Sequence, residues 1–218
     1  MSIILTKKAG INMKNIGTVL VVYLLLPQFI QAQGTLYLSS LEQTPISSTT
    51  IGSDSWIAQG FGTGTNVGGY ILNSVQLLMD GASGSPDGFI VSIYNKSGNS
   101  PQDNLGNLVG SAPVAGGVYS YTASDIALSP STAYYIVITA ATPVAQGAYN
   151  WSAANNPAPL NDGWVGAIYD YSGDGLNWNY SRDKFFQFAI YATGVPEPAT
   201  FALAGLGLAA LSFRRRKS

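Results

Sequence analysis

Between its two ends this chain holds no long stretch with an apolar period of 3.6 residues, whereas short β-rich runs recur throughout. That contrast limits the fold more than any other feature. FIVSIYN (Phe89–Asn95) alternates, placing Phe89, Val91 and Ile93 on one face. GYILNSVQLLM (Gly69–Met79), AYYIVITA (Ala133–Ala140) and KFFQFAIYAT (Lys184–Thr193) are further strong runs. Weaker ones begin at Thr35, Leu105, Val118 and Ala148. Turn formers separate them, among them Asp80-Gly81, Asp87-Gly88, Asp162-Gly163 and Asp174-Gly175, each read as a turn. Such lengths and spacings predict an all-β body, an antiparallel β-sandwich of jelly-roll or fibronectin-like kind over residues 33–193. A body of about 160 residues is long enough to bury around 70 % of its unfolded surface in one core.

One local pattern adds to this. LSPSTAYYIVI (Leu128–Ile138) spaces Leu128, Pro130, Thr132 and Tyr134 as in the corner that enters a fibronectin type III strand. The expectation is that the Tyr134 hydroxyl bonds nearby backbone, with Tyr135 on the opposite face.

Composition narrows the chemistry. Cys and His are absent, so disulfides, imidazole bases and His-ligated zinc are excluded. The net charge of −1 hides an uneven distribution: seven of the ten Lys and Arg lie in the tails. From Gln33 to Val195 three basic residues face ten acids, a net of −7. Such a body repels nucleic acid and anionic lipid.

The tails read as addresses. Near the start, Lys14 precedes an apolar run from Ile16 to Leu26, broken by Pro27, with small Ala32 ahead of Gln33. This is the anatomy of a secretory signal peptide over residues 1–32, cut by signal peptidase between Ala32 and Gln33; Met13 offers itself as the true start. At the other end, thirteen apolar or small residues (Phe201 to Phe213) precede Arg214, Arg215, Arg216 and Lys217. As a short transmembrane helix they rise about 20 Å, less than the ~30 Å hydrocarbon core. The four charges hold that end in the cytoplasm, so the body lies outside.

Val195-Pro196-Glu197-Pro198, the apolar stretch and the basic stop together resemble the PEP-CTERM sorting signal of Gram-negative bacteria, over residues 195–218. The resemblance implies transient insertion in the inner membrane and cutting by an exosortase, in a family associated with exopolysaccharide and biofilm. Pro196 and Pro198 suit it, since they deny the segment a helix and keep it extended.

The body in turn resembles the choice-of-anchor R domain. Phe61-Gly62-Thr63-Gly64, Gly69 to Val75, Val91-Ser92-Ile93-Tyr94, Tyr119 to Thr122 and the Leu128–Tyr134 corner carry that likeness, continued by Tyr149-Asn150-Trp151, Trp164, Asp174 to Trp178 and Phe188-Ala189-Ile190. Its members are surface proteins with one or another C-terminal anchoring signal. The likeness implies no activity and no catalytic residue.

Two clusters remain as candidates for chemistry. In DYSGDG, Asp170, Ser172 and Asp174 recur at alternate positions before Gly175, like the first half of a calcium loop. The twelfth position is Ser181, where an EF-hand has Glu, and a hairpin turn at Asp174-Gly175 accounts for the same residues. Aromatic residues crowd the second half, and Trp151, Trp164 and Trp178 are candidates to stack on sugar rings, or else to fill core. Glu42 is the only Glu of the body, and no carboxylate pair suited to glycoside hydrolysis is legible. The expectation is a non-enzymatic protein, exported to the cell surface or extracellular matrix. The alternative is a carbohydrate-binding module for extracellular polysaccharide.

Overall fold

A computed structural model describes residues 34–156 and 162–197. Fourteen strands among them form two sheets, all paired antiparallel. The larger sheet contains β1 (Thr35–Ser39), β2 (Ser47–Ile51), β4 (Tyr70–Gly84), β7 (Gly116–Thr122), β8 (Ala127–Leu128), β10 (Gly147–Ala154), β13 (Phe185–Phe186) and β14 (Phe188–Gly194). The smaller runs in the order β12 (Asn179–Ser181), β11 (Val165–Ser172), β3 (Trp56–Gly62), β9 (Ala133–Thr139), β5 (Ile90–Ser97) and β6 (Ser100–Leu108). No helix of the described residues is long and apolar enough to cross a membrane.

The strands form where apolar residues alternate, and their inward sets meet in one shared core. Leu72, Val75, Leu77, Met79, Trp151, Phe188 and Ile190 of the large sheet pack in the same cluster as Ile57, Phe61, Val91, Ile93, Ile136 and Ile138 of the small one. The expected all-β, two-sheet, sandwich-like build is what the chain adopts. Gln59 ties the layers together from within: fully buried on β3, it accepts from the Phe186 N–H of β13 at 2.9 Å and donates to the Ala167 carbonyl at 2.6 Å. A buried amide is tolerated when it is bonded in this way.

The corner forms as expected. The buried Tyr134 hydroxyl accepts from Ser129 N–H at 2.8 Å, and Tyr135 leaves the sheet on the other face. Asp162-Gly163 is a turn with both residues left-handed, at φ 50° and 77°. Asp80-Gly81 is not. It lies inside the fifteen-residue β4, where Met79 pairs with Trp151 and Gly81 with Asn150, so that Asp80 is the extra residue of a bulge. Gly81 at φ +93° allows it, and the bulge lets one strand pair with β14 over its first half and β10 over its second.

Candidate functional site

Three places bear on function: the end of β14, the outward face of the six-stranded sheet, and the positions of the three tryptophans.

At the end of β14 the ladder with β4 continues through Gly194↔Tyr70 and gains one more rung, Val195 N–H to the Gly69 carbonyl at 3.0 Å. There β4 stops, because Asn66 to Gly69 close a turn (Gly69 N–H to Asn66 carbonyl, 2.8 Å). The Asn66 side-chain amide replaces the missing strand, donating to the Gly69 carbonyl at 2.6 Å and to the Val195 carbonyl at 3.0 Å. Pro196 has no N–H to extend the ladder, so the strand ends on it. Val195 is half-buried, while Pro196 and Glu197 stand exposed. Pro198, Arg214, Arg215, Arg216 and Lys217 lie outside the described residues, as do Ala32, Gln33 and the whole expected signal peptide.

A family model for the PEP-CTERM protein-sorting motif matches residues 194–217. No curated protein matches the chain. The match begins at Gly194, the last residue of β14, so the motif follows the folded body with no spacer between them.

The outward face of the six-stranded sheet carries a second apolar cluster: Ala58, Tyr135 and Val137, packed under Trp56, Tyr94 and Trp178. Asp170 lies within it, opposite Ala58 in the β3–β11 register and fully buried. Neither of its carboxylate oxygens has a hydrogen-bond partner among the described residues. Burial pushes the Asp170 carboxyl above its ordinary range, while the Tyr135 hydroxyl and the Lys96 charge act the other way. Tyr135 relieves that burial only in part, because its single proton is directed to the Asn99 carbonyl at 2.7 Å.

The alternating Asp170 and Ser172 belong to strand β11 rather than to a curling loop. Asp174 follows in the β11–β12 connection, and its carboxylate accepts from the Ser172 hydroxyl, both the N–H and the side-chain amide of Asn177, and Leu176 N–H, all within 2.9 Å. These bonds, the Asn177 N–H first, hold its carboxyl well below the ordinary carboxylate range. Gly175 follows at φ +73° against the Trp56 ring. Asp174-Gly175 is thus a capped turn. No group of three or more acidic side chains that could hold a metal occurs among the described residues.

Of the three tryptophans, two are corrected. Trp151 is fully buried, stacks on Phe186 at 4.6 Å and donates its indole N–H to the Gln187 carbonyl at 2.9 Å. Trp164 is equally buried, between Tyr37 and Phe61. Neither offers a ring face to a sugar, because Trp151 on β10 and Trp164 just ahead of β11 both point into the shared core. Trp178 differs: half-buried in the loop before β12, it lines a cleft of about 340 Å³ with Ser97, Ser100, Pro101, Gln102, Gly175 and Leu176.

Asn66, Gly68 and Gly69 are the site residues that sequence reasoning passed over. Asn66 two residues ahead of Gly68-Gly69 is a legible turn signal, but its partner lies some 130 positions further on, beyond any local pattern.

Proposed function

We propose that this chain is an exported, non-enzymatic surface or matrix protein, delivered by a signal peptide and processed at its C-terminal tail by an exosortase. The observation that carries the reading is the placement of the motif. The match begins where β14 ends, and Pro196 and Glu197 are exposed beside a well-packed body, open to a membrane enzyme. The short apolar stretch and the basic stop supply the transient tether in the inner membrane of a Gram-negative cell. The body suits a choice-of-anchor R domain, as its two sheets and the Tyr134 corner agree with that likeness. A chain with neither His nor Cys and a single Glu in its body favours a non-catalytic role, with no cofactor. Replacing Glu197 with Ala and following the size of the mature protein tests the sorting step. The variant should accumulate as the longer, membrane-held form; normal trimming and release of Glu197→Ala defeats the reading.

A second reading rests on Trp178. Its ring lines a cleft among Ser97, Ser100 and Gln102, an apolar face beside hydroxyl and amide groups, which is the mixture that sugars need. Extracellular polysaccharide is then the ligand. In a polysaccharide pull-down the wild type should be retained, and Trp178→Ala should lose most of that retention. A wild type that no polysaccharide retains removes this reading and leaves the first intact.

A further inference from the structure

We infer that the Asn66–Gly69 turn is a seat for the sorting segment, and that it ends the peptide available to a processing enzyme at Pro196. The inference rests on the sorting reading for the identity of the enzyme, but not for the geometry of the seat.

Peptidases and other strand-reading partners grip an extended chain through its backbone N–H and C=O groups. At Val195 both are already taken: the N–H by the Gly69 carbonyl at 3.0 Å, and the carbonyl by the Asn66 side-chain amide at 3.0 Å. The Gly69 carbonyl accepts from both Asn66 and Val195, so turn and segment are bonded as one unit. Gly68 makes the approach close enough, since a Cβ there would collide with the Val195 carbonyl oxygen. Tyr70 supports the turn from below, its hydroxyl accepting from Asn66 N–H at 3.2 Å. Beyond Val195 the first backbone donor is that of Glu197, because Pro196 has none. An enzyme that approaches from the tail therefore meets Pro196 and Glu197 exposed and unbonded among the described residues, and finds Val195 already engaged by the sandwich.

This makes the seat a positioning element. It fixes the distance between folded body and cut segment, and it shields the end of β14 from trimming. Gly68→Ala is the sharpest probe: its φ is not left-handed, so an alanine fits the backbone, and its methyl displaces Val195. Asn66→Ala removes the bond to the Val195 carbonyl by a different route.

The experiment uses the full chain in membranes with its body exposed, treated briefly with proteinase K; the end of the protected fragment is then read by mass spectrometry. Wild-type fragments should end at Pro196 or later. Fragments from Gly68→Ala and Asn66→Ala should end upstream of Val195, with cutting there at least threefold faster. Wild-type fragments that end before Val195, or the same end-points in all three proteins, overturn the seat. Should both variants be digested completely, hydrogen exchange in the wild type decides. Exchange at Val195 N–H at least tenfold slower than at Glu197 upholds the seat, and equal rates overturn it. Glu197→Ala separates the two ideas, for it should block exosortase processing while the protease boundary stays at Pro196. If it is processed normally, the sorting reading falls and the seat is judged on its own fragments.

Discussion

On the eight-stranded sheet the outward face is furnished with polar side chains, Ser74, Gln76, Ser120 and Thr122 among them, with Gln76 donating to Ser120 across the strands. On the six-stranded sheet the same kind of surface carries a second apolar layer, roofed by Trp56, Tyr94 and Trp178, with the unpaired Asp170 carboxyl inside it. A sheet that carries an apolar cluster on each face, and in the outer one buries an acid with no hydrogen-bond partner among the described residues, breaks two ordinary rules at once. Departures of that kind concentrate where a protein does something besides fold. The contrast therefore directs attention to the outward face with Trp178, and away from the tryptophans that hold the core.

The largest expected effect tests that division directly. Trp151→Ala removes a ring that is fully enclosed and hydrogen-bonded, and should cost about 3–5 kcal/mol of unfolding free energy. Trp178→Ala removes a half-buried ring from the outer layer and should cost well under half of that. Urea unfolding of both variants measures the difference. Equal losses would mean that the outer layer is structural, and would remove the reason to treat it as a surface for ligands.

Asp170→Asn sharpens the comparison from the other side. An unpaired buried charge costs the folded state, so the neutral amide should raise stability at pH 7, on the order of 1–3 kcal/mol. The pH dependence follows from the direction of the shift. A carboxyl raised by burial holds its proton more tightly in the folded state than in the unfolded one. Its penalty is absent below the unfolded pKa, about 3.9, and complete above the raised folded value. The advantage of Asp170→Asn should accordingly shrink as the solution is acidified from neutrality. Asp174 runs oppositely: its lowered pKa means a contribution that is present above the ordinary value and lost in acid. Asp174→Asn should therefore unfold with a flatter acid dependence than wild type. Unfolding midpoints from pH 3 to 8 separate the two aspartates.

How much of this was legible in the sequence differs between the same two faces. The core strands announced themselves through alternation, as in Phe89, Val91 and Ile93, and the Tyr134 corner through its spacing. Strand β3 did not, because Ile57 to Phe61 are buried on both faces and show no period. The outer layer is the cause: it covers Ala58 from the side on which a polar residue would otherwise mark the strand. Asp170 misled for a related reason. Oxygen-bearing side chains at alternate positions, such as Asp170 and Ser172, look alike on a metal loop and on a strand, and only the pairing of β11 with β3 distinguishes them. The i, i+2 spacing of Tyr149 and Trp151 puts both on one face of a strand, but nothing local says that this face is the core. Asp80-Gly81 has the composition of a turn and serves as a bulge, because β10 and β14 both claim β4.

The smallest effect belongs to two adjacent residues that look out from β9 in opposite directions. Tyr134 faces the core, where its hydroxyl is the acceptor for Ser129 N–H. Tyr134→Phe leaves that donor without its partner and should cost about 1 kcal/mol. Tyr135 faces the outer layer, where its hydroxyl donates to the Asn99 carbonyl at the β5–β6 connection. In Tyr135→Phe the lost bond is to a carbonyl at a hairpin tip, where water can take its place, so the direct cost should be smaller. The variant also removes the hydroxyl that moderates Asp170, so its stability should fall more steeply from acid to neutral pH than that of Tyr134→Phe. Parallel pH profiles for the two variants would show that Asp170 is coupled to neither tyrosine, and that the outer layer is electrostatically as quiet as the core.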